Sequence, residues 1–302
     1  MTGKRPIGQA DICMITACFL WAIGTVVCKN AFGTTPESFR VNIFNGLRFP
    51  IATLLLFTSL KISGSKFAIR WEHVPGFALV SFFGMFFFIV LFHTGLSMTT
   101  ASNTGIIIAV IPLVIVILSF FSGVEKPNRW LISGIIVGFC GVVVMNLQYG
   151  GLTMNKGILL VYFSCFCWGI YTVYGEKYIH LYSPMVTTAW IFLFTSLFHV
   201  PLFIHQFPAQ SWTAISGWNW FNLVFAAVVP LFIANTLYFA SIHKIGSSRS
   251  GIYIYLEPVF TVILAFILRN EDISLLQIIG FITICAGVYI SKIQGTKTRI
   301  DF

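Results

Sequence analysis

The sequence predicts an all-α membrane protein of ten transmembrane helices, arranged as two inverted five-helix repeats. Three observations predict it: the composition, ten long apolar runs and a duplicated sequence register. Of the 302 residues, 57% are hydrophobic and 9% are charged, and the mean hydropathy is +0.90. Soluble domains carry about 25% charged residues, so this composition cannot cover a water-facing surface.

The apolar runs are each about 20 residues long, the length that crosses a ~30 Å hydrocarbon layer. They lie at residues 11–31, 39–60, 74–95, 98–121, 130–148, 157–178, 184–205, 220–242, 248–268 and 274–294. Together they occupy about two-thirds of the chain, which leaves short connections and no room for a folded soluble domain. Lys4 and Arg5 precede the first run, but this run is full-length and others follow it, so we expect it to remain in the mature protein.

The second half of the chain repeats the first. Residues 19–26 (FLWAIGTV) align with residues 166–173 (FCWGIYTV) at an offset of 147, with five identities in eight. At an offset of 146 the matching pairs are Gly105 and Gly251, Pro112 and Pro258, Glu125 and Glu271, Gly134 and Gly280, and Gly141 and Gly287. A register this constant indicates an internal duplication. We therefore divide the chain into a first repeat at 1–150 and a second at 151–302.

The distribution of basic residues predicts the orientation. Because each repeat has five spans, the second enters the membrane from the opposite side. With the N-terminus inside, the cytoplasmic set is Lys4, Arg5, Lys61, Lys66, Arg70, Lys126, Arg129, Lys177, Lys244, Arg249, Lys292, Lys297 and Arg299, and the outer set is Lys29, Arg40, Lys156 and Arg269. The positive-inside rule then places both termini in the cytoplasm. This sorting accounts for most of the +9 net charge without a nucleic-acid partner.

Inverted repeats are typical of secondary transporters. They place the substrate site near the bilayer midplane, where the two copies meet, and rocking exposes it to each side in turn. The sequence therefore predicts alternating access to a small organic metabolite.

The chain resembles a known family in several ordered features. These are Trp21 and its repeat partner Trp168, the run 47–49 (LRF), Pro112 followed by an apolar run to 123–125 (GVE), the run 256–258 (LEP), and the glycine-rich fifth and tenth spans. Together they resemble the ten-helix EamA-type permeases of the drug/metabolite transporter superfamily over residues 10–295. The resemblance implies a central cavity lined by spans 1, 3, 4, 6, 8 and 9, with spans 5 and 10 as scaffold. The four-span multidrug exporters of that superfamily carry a proton-linked carboxylate in the first span. Mid-span, the equivalent helices here have Trp21 and Thr25 in one copy and Trp168 and Thr172 in the other, which argues against the same antiport chemistry.

Paired aromatic residues are the first candidates for substrate binding. Trp21 and Trp168 occupy equivalent positions, each followed one turn later by a threonine, Thr25 or Thr172. Both tryptophans lie about half-way along their spans, which argues against an interfacial belt. Paired midplane rings with a nearby hydroxyl favour a pocket for an amphipathic or cationic ligand over ordinary packing.

Glu257 is the carboxylate nearest the middle of any span. Ionisable groups at membrane depth are costly and indicate function. It either binds a proton or a substrate cation, or accepts hydrogen bonds from donors freed by Pro258. Arg249, Tyr253 and Glu257 are spaced to share one helix face, and we expect that face to line the cavity.

Other polar groups within the spans have less specific roles. Asn103, Asn235 and Tyr238 lie on spans assigned to the cavity and are candidate substrate ligands, because a buried amide or hydroxyl must find a partner. Arg48 is a counter-charge for a buried carboxylate, a ligand for a substrate carboxylate, or a structural residue that can reach the lipid headgroups. Because the resemblance places span 2 at the periphery, we favour structure. Pro112, Pro230 and Pro258 interrupt their spans and are candidate hinges.

Two competing functions, a membrane-embedded enzyme and a channel-like facilitator, lack sequence support. No converging set of nucleophile, base and metal ligands is present, no P-loop occurs, and the seven cysteines form no zinc-like spacing. We expect no catalytic residue, metal or cofactor. The expected partners are a small-molecule substrate, the lipid bilayer of the cytoplasmic membrane and, as a further candidate, protons. Amino acids or related amphipathic compounds are the favoured substrates and export the favoured direction. A monomer and a weak dimer both remain open.

Overall fold

The computed structural model describes residues 8–27, 31, 33, 35–98, 104, 107–125, 127–147, 156–269, 273–291 and 293. Its long helices are α1 (Gln9–Val27), α2 (Val41–Ile62), α3 (Trp71–Met98), α4 (Ile111–Phe121), α5 (Arg129–Asn146), α6 (Lys156–Leu181), α7 (Pro184–Gln206), α8 (Gly217–Ile245), α9 (three contiguous segments, Ser247–Ile252, Tyr253–Tyr255 and Leu256–Arg269) and α10 (Leu275–Ser291).

These helices confirm the predicted membrane fold. Seven of them, all except α4, α9 and α10, are long and apolar enough to cross a membrane, and α4 and α10 are shorter apolar helices. α9 completes the ten spans, with a 3-10 turn in its course. Large apolar side chains such as Phe83, Phe121 and Ile282 are exposed on the bundle surface, as lipid contact requires.

One part of the prediction is wrong. α4 begins at Ile111, so Pro112 lies in its first turn rather than mid-helix. Pro258 likewise lies in the first turn of Leu256–Arg269, the last segment of α9. A proline is tolerated there, because the first turn of a helix has no partner for its backbone N–H. Most of the residues predicted to precede Pro112 in the span lie outside the described part of the chain.

The two repeats interlock instead of folding side by side. α1 packs against α8 and α9 of the second repeat, and its equivalent α6 packs against α3 and α4 of the first. α2 packs against α7, and α5 against α10. We call the side holding the start of α1 and the end of α10 the terminal face, and the other the opposite face. α1 runs from the terminal to the opposite face, and α6 runs the other way, as an inverted repeat demands.

Glycines bring α5 and α10 into direct backbone contact. A Cβ added at Gly141 would lie 2.9 Å from the carbonyl oxygen of Gly280, and one added at Gly287 would lie 2.6 Å from that of Gly134. No side chain fits between the two helices at these points. The glycine stripe of the sequence is therefore an intramolecular packing surface.

The helices α3 and α8 each contain a π-helical turn at the equivalent place. The turns are Val80–Phe86 in α3 and Ala227–Ile233 in α8. Gly84 lies in the first and Pro230 in the second, 146 residues apart. Each turn approaches the first helix of the other repeat: a Cβ on Gly84 would lie 2.9 Å from Tyr171 Cα, and one on Gly24 would lie 3.0 Å from Pro230 Cγ. Such π-turns recur at functional sites, and these two flank the centre of the bundle.

Candidate functional site

Three aromatic rings meet at the centre of the bundle, and we call them the aromatic cluster: Trp21 on α1, Trp168 on α6 and Tyr238 on α8. The ring centroids of Trp21 and Trp168 are 5.4 Å apart, and the Tyr238 ring lies 5.3 Å from Trp21 and 5.7 Å from Trp168. Edge-to-face contacts at these distances are favourable. The two repeat-related tryptophans thus touch each other directly.

Hydrogen bonds fix this cluster to the π-helical turn of α8. The carbonyl of Pro230 accepts from Trp21 Nε1 at 3.1 Å and from Asn235 Nδ2 at 2.8 Å. Asn235 Oδ1 in turn accepts from the hydroxyl of Tyr171 at 3.1 Å. Asn235 therefore has partners for both ends of its amide within the protein, and its role in this conformation is to orient the helices around the cluster.

Towards the terminal face, the cluster is sealed by polar contacts. The hydroxyls of Tyr238 and Thr172 are 2.8 Å apart, and Thr172 also donates to the carbonyl of Trp168 at 2.8 Å. Thr172 and Tyr238 are both completely buried. No ligand-sized path passes between these side chains.

Towards the opposite face, the cluster is more open. Thr25, the repeat partner of Thr172, is exposed, and Trp21 and Phe88 are only half-buried. Phe88 adds a fourth ring, 4.7 Å from Trp168. Asn103, which is a predicted substrate ligand, lies outside the described residues.

Glu257 lies near Cys18 of α1, one turn before Trp21. It is half-buried, and no described residue makes a hydrogen bond or an ion pair with its carboxylate. The structural alternative was that Glu257 accepts hydrogen bonds from donors freed by Pro258. A proline lacks a backbone N–H, so it leaves a carbonyl acceptor without a partner, and an ionised carboxylate cannot donate a hydrogen bond to that carbonyl. The Cys18 thiol instead donates to the carbonyl of Tyr253, at 3.2 Å.

The expected common face of Arg249, Tyr253 and Glu257 is interrupted by the 3-10 turn of α9. Tyr253 donates its hydroxyl to Asp11 of α1, near the terminal face. Arg249 lies close enough to Glu125 to stabilise its charge. These two side chains therefore belong to the terminal face in this conformation, away from the aromatic cluster.

A pair of carboxylates holds the start of α9 at the terminal face. The amide of Ser247 donates to Glu176 Oε2 at 3.1 Å, and the next amide, of Ser248, donates to Glu125 Oε2 at 3.2 Å. We call these four residues the terminal closure. Burial, and secondarily the charge of Glu176, raises the pKa of Glu125 from 4.5 to about 7.

Gly246 permits the approach of Glu125 to α9. Its φ is +85°, and a Cβ added there would overlap Oε1 of Glu125. Both the left-handed backbone and the close contact require glycine at this position.

Arg48 is buried away from these groups, over the rings of Phe44 and Phe49 at 5.3 and 5.6 Å. Its charge acts on His93 and His199, and Asn45 Nδ2 lies 3.1 Å from Nδ1 of His93. The structure shows no contact between Arg48 and Glu257, so the counter-charge interpretation does not apply to that carboxylate.

Sequence reasoning missed Glu125 and Glu176 as a unit. The repeat register did mark Glu125, through its partner Glu271, but only as evidence of duplication. Glu176 has no acidic partner in the first repeat, since position 29 holds a lysine. That departure from the repeat was the available signal.

Comparison with known proteins agrees with this architecture. The sequence model of the EamA-like transporter family matches the chain twice, at residues 8–147 and 155–292. Uncharacterized transporter YetK of Bacillus subtilis (strain 168) is 26% identical over 264 residues, which cover 85% of this chain and 80% of that protein. Uncharacterized transporter YoaV of the same organism is 21% identical over 298 residues, covering 95% and 98%. A solved crystal structure, described only as that of a protein, matches with a TM-score of 0.78 at 19% identity over 95% of this chain and 99% of that one, which shows a shared fold.

Proposed function

The chain belongs to the EamA-like transporter family of multi-pass membrane transporters, and from that premise we propose that it is a secondary transporter working by alternating access. The observation that carries the proposal is the aromatic cluster. Equivalent tryptophans from the two repeats meet at mid-membrane, where an inverted-repeat transporter binds its substrate. The two family matches fall within the repeats we infer at 1–150 and 151–302.

The unequal exposure of the two threonines supports a two-state mechanism. Thr172 is buried on the terminal side of the cluster, and Thr25 is exposed on the other side. A transporter that is closed at one face and open at the other has this arrangement, and an inverted repeat can also adopt the reverse arrangement. In this proposal, the described conformation is the one closed towards the terminal face.

The chemistry around the cluster favours an amphipathic substrate that carries an amine. Two indole rings and Phe88 provide apolar surface and negative π faces, which attract a cation. Glu257 supplies a carboxylate that no described residue pairs with. Amino acids and related amines combine these two properties.

The charge distribution supports a terminal face on the cytoplasmic side. We further propose that the protein lies in the cytoplasmic membrane and works as an exporter. Single cysteines at Ser65 and Ser211, both exposed, test this orientation in a background without native cysteines. We expect a membrane-impermeant thiol reagent to label position 211 from outside intact cells and position 65 only after permeabilisation. The reverse pattern would contradict the proposal.

The substrate class is tested by a thermal-shift screen of the purified protein against amino acids, amines, sugars and nucleosides. A ligand present at a hundred times its Kd stabilises the folded state by about 2.7 kcal/mol. We expect amine-bearing amphipathic compounds to raise the melting temperature, and counterflow of the same compounds in proteoliposomes to saturate.

Three variants connect the ligand to the site. Trp168→Ala should weaken binding by roughly 1–3 kcal/mol, the scale for loss of a desolvated aromatic contact. Glu257→Gln should weaken binding of amines and leave neutral ligands unaffected. Glu72→Gln, at an exposed carboxylate paired with Arg70, is the matched control and should bind like the wild type. Unchanged binding in both site variants would show that the substrate binds elsewhere.

A further inference from the structure

The terminal closure brings together two acidic side chains from different repeats. Glu125 follows α4 in the first repeat, and Glu176 lies near the end of α6 in the second. They accept hydrogen bonds from consecutive amides of α9, and both are more than nine-tenths buried. Two ionised carboxylates so close together in a buried position repel each other, and a shared proton removes that repulsion.

The sequence does not repeat this pair of acids. At the offset of 146, Glu125 corresponds to Glu271, and at the offset of 147, Glu176 corresponds to Lys29. The repeat-related positions therefore hold one acid and one base in sequence, and both lie outside the described residues.

Other titratable and charged groups lie around the pair. Arg249 of α9 faces Glu125 and favours its ionised form. His180 of α6 has Nε2 3.7 Å from Oε1 of Glu176, and its ring lies 4.7 Å from that of His243 on α8. Asp11 of α1 is engaged by Tyr253. Despite Arg249, burial and Glu176 raise the pKa of Glu125 to about 7.

We infer that Glu125 and Glu176 form a proton-binding site whose occupancy holds the terminal face closed. The inference rests on the alternating access proposed above. With a proton on Glu125, one oxygen still accepts from the amide of Ser248, and the hydroxyl can donate to Glu176. When that proton leaves to the solvent at the terminal face, the two anions separate and the amides of α9 are released.

The direction of the pH effect follows from this linkage. Because the pKa of Glu125 is raised in the closed state, that state is favoured fully below pH 4.5 and loses its advantage as the pH rises to about 7. The ratio of open to closed protein should rise by up to about tenfold per pH unit in that interval and level off above it.

Double electron–electron resonance on the full-length protein measures this ratio. Spin labels are placed by Phe121→Cys and Lys244→Cys, two exposed positions at the terminal ends of α4 and α8, in a background without native cysteines. We expect one short distance at about pH 5 and a second, longer one at about pH 8, with the long-to-short ratio rising at least tenfold.

Variants assign the response to the pair. Glu125→Gln keeps an acceptor for Ser248 and a donor for Glu176 but cannot titrate, so the short distance should persist at every pH. Glu176→Gln removes the repulsion and should flatten the response. Glu176→Gln also provides an independent test of the pair if Glu125→Gln folds poorly. Glu72→Gln, on the same face but exposed, should respond like the wild type.

A single distance at all pH values in the wild type, or a full response in Glu125→Gln, would overturn the proton site. Neither result would affect the proposed transport. If saturable counterflow persisted while the distances stayed constant, the transport proposal would stand and the proton inference alone would fail.

Discussion

Thr25 and Thr172 occupy the same place in the two repeats, and the structure treats them differently. Thr172 is buried and bonded to Tyr238 on the terminal side of the aromatic cluster, whereas Thr25 is exposed on the opposite side. Their local sequences share five identities in eight, so the difference comes mainly from what packs against each threonine in the bundle. A pair of repeat-related residues therefore reports which face is closed.

The comparison also shows that the two closures are chemically unequal. The repeat partner of Tyr238 is Phe92, which has no hydroxyl to meet Thr25. The repeat partner of Gly246 is Thr100, and that of Glu176 is Lys29. The terminal side is closed by buried hydrogen bonds, and the repeat does not provide the same set on the other side.

The largest expected effect on stability comes from Gly246→Ala, because the added methyl group would overlap Glu125 of the terminal closure. The left-handed backbone costs an alanine roughly 1–2 kcal/mol, and the overlap with Glu125 adds about 1–3 kcal/mol of overpacking. Gly64→Ala is the matched control, because Gly64 has a φ of +65° and open space around its Cβ position. Thermal unfolding should show the second variant losing only the backbone cost. Equal losses of stability in the two variants would mean that Glu125 does not lie in contact with Gly246.

A smaller effect is expected from Thr172→Val, which tests the comparison between the threonines. Valine keeps the shape but leaves the Tyr238 hydroxyl buried without its partner, at a cost of about 1–3 kcal/mol. Thr25→Val, at the exposed equivalent, should change stability by less than about 0.5 kcal/mol. Melting curves that shifted equally in both variants would argue that the two positions are equivalent in solution.

The smallest effect on stability is expected from Glu257→Gln. No described residue bonds to that carboxylate, so the amide should leave the melting temperature nearly unchanged. If Glu257 carries a proton or cation during transport, net flux or its pH dependence should be lost instead. A variant with normal stability, flux and pH dependence would remove Glu257 from both the binding and the coupling steps.

The sequence was sufficient to predict the membrane fold and the meeting of Trp21 and Trp168. Both follow from periodic apolar runs and a constant repeat offset, because an inverted repeat brings equivalent residues towards one axis. It was not sufficient for the terminal closure. Glu125 and Glu176 are 51 positions apart and on different helices, and they meet only because the bundle is closed at that face.

The helix interruptions show a second limit of the sequence. The motif around Pro230 predicted a break, but not that α3 would have the same π-helical turn around Gly84 without any proline. Pro112 and its repeat partner Pro258 both looked like mid-helix prolines, and both lie instead in the first turn of a helical segment. In each case the packing of neighbouring helices set the local backbone conformation, and the presence of one residue type was not enough to predict it.

The interlocked packing of α1 has a consequence for how the protein is made. Its partners α8 and α9 leave the ribosome about 200 residues later, and the contact between Cys18 and Tyr253 spans 235 positions. During synthesis the indole N–H of Trp21 cannot yet donate to the carbonyl of Pro230, because that residue has not been made. α1 therefore stays without its native contacts until the second half of the chain is inserted. Folding of such a topology is dominated by late, non-local contacts. A nascent chain that stops before α8 should therefore be a substrate for membrane quality control, however well its first seven helices insert.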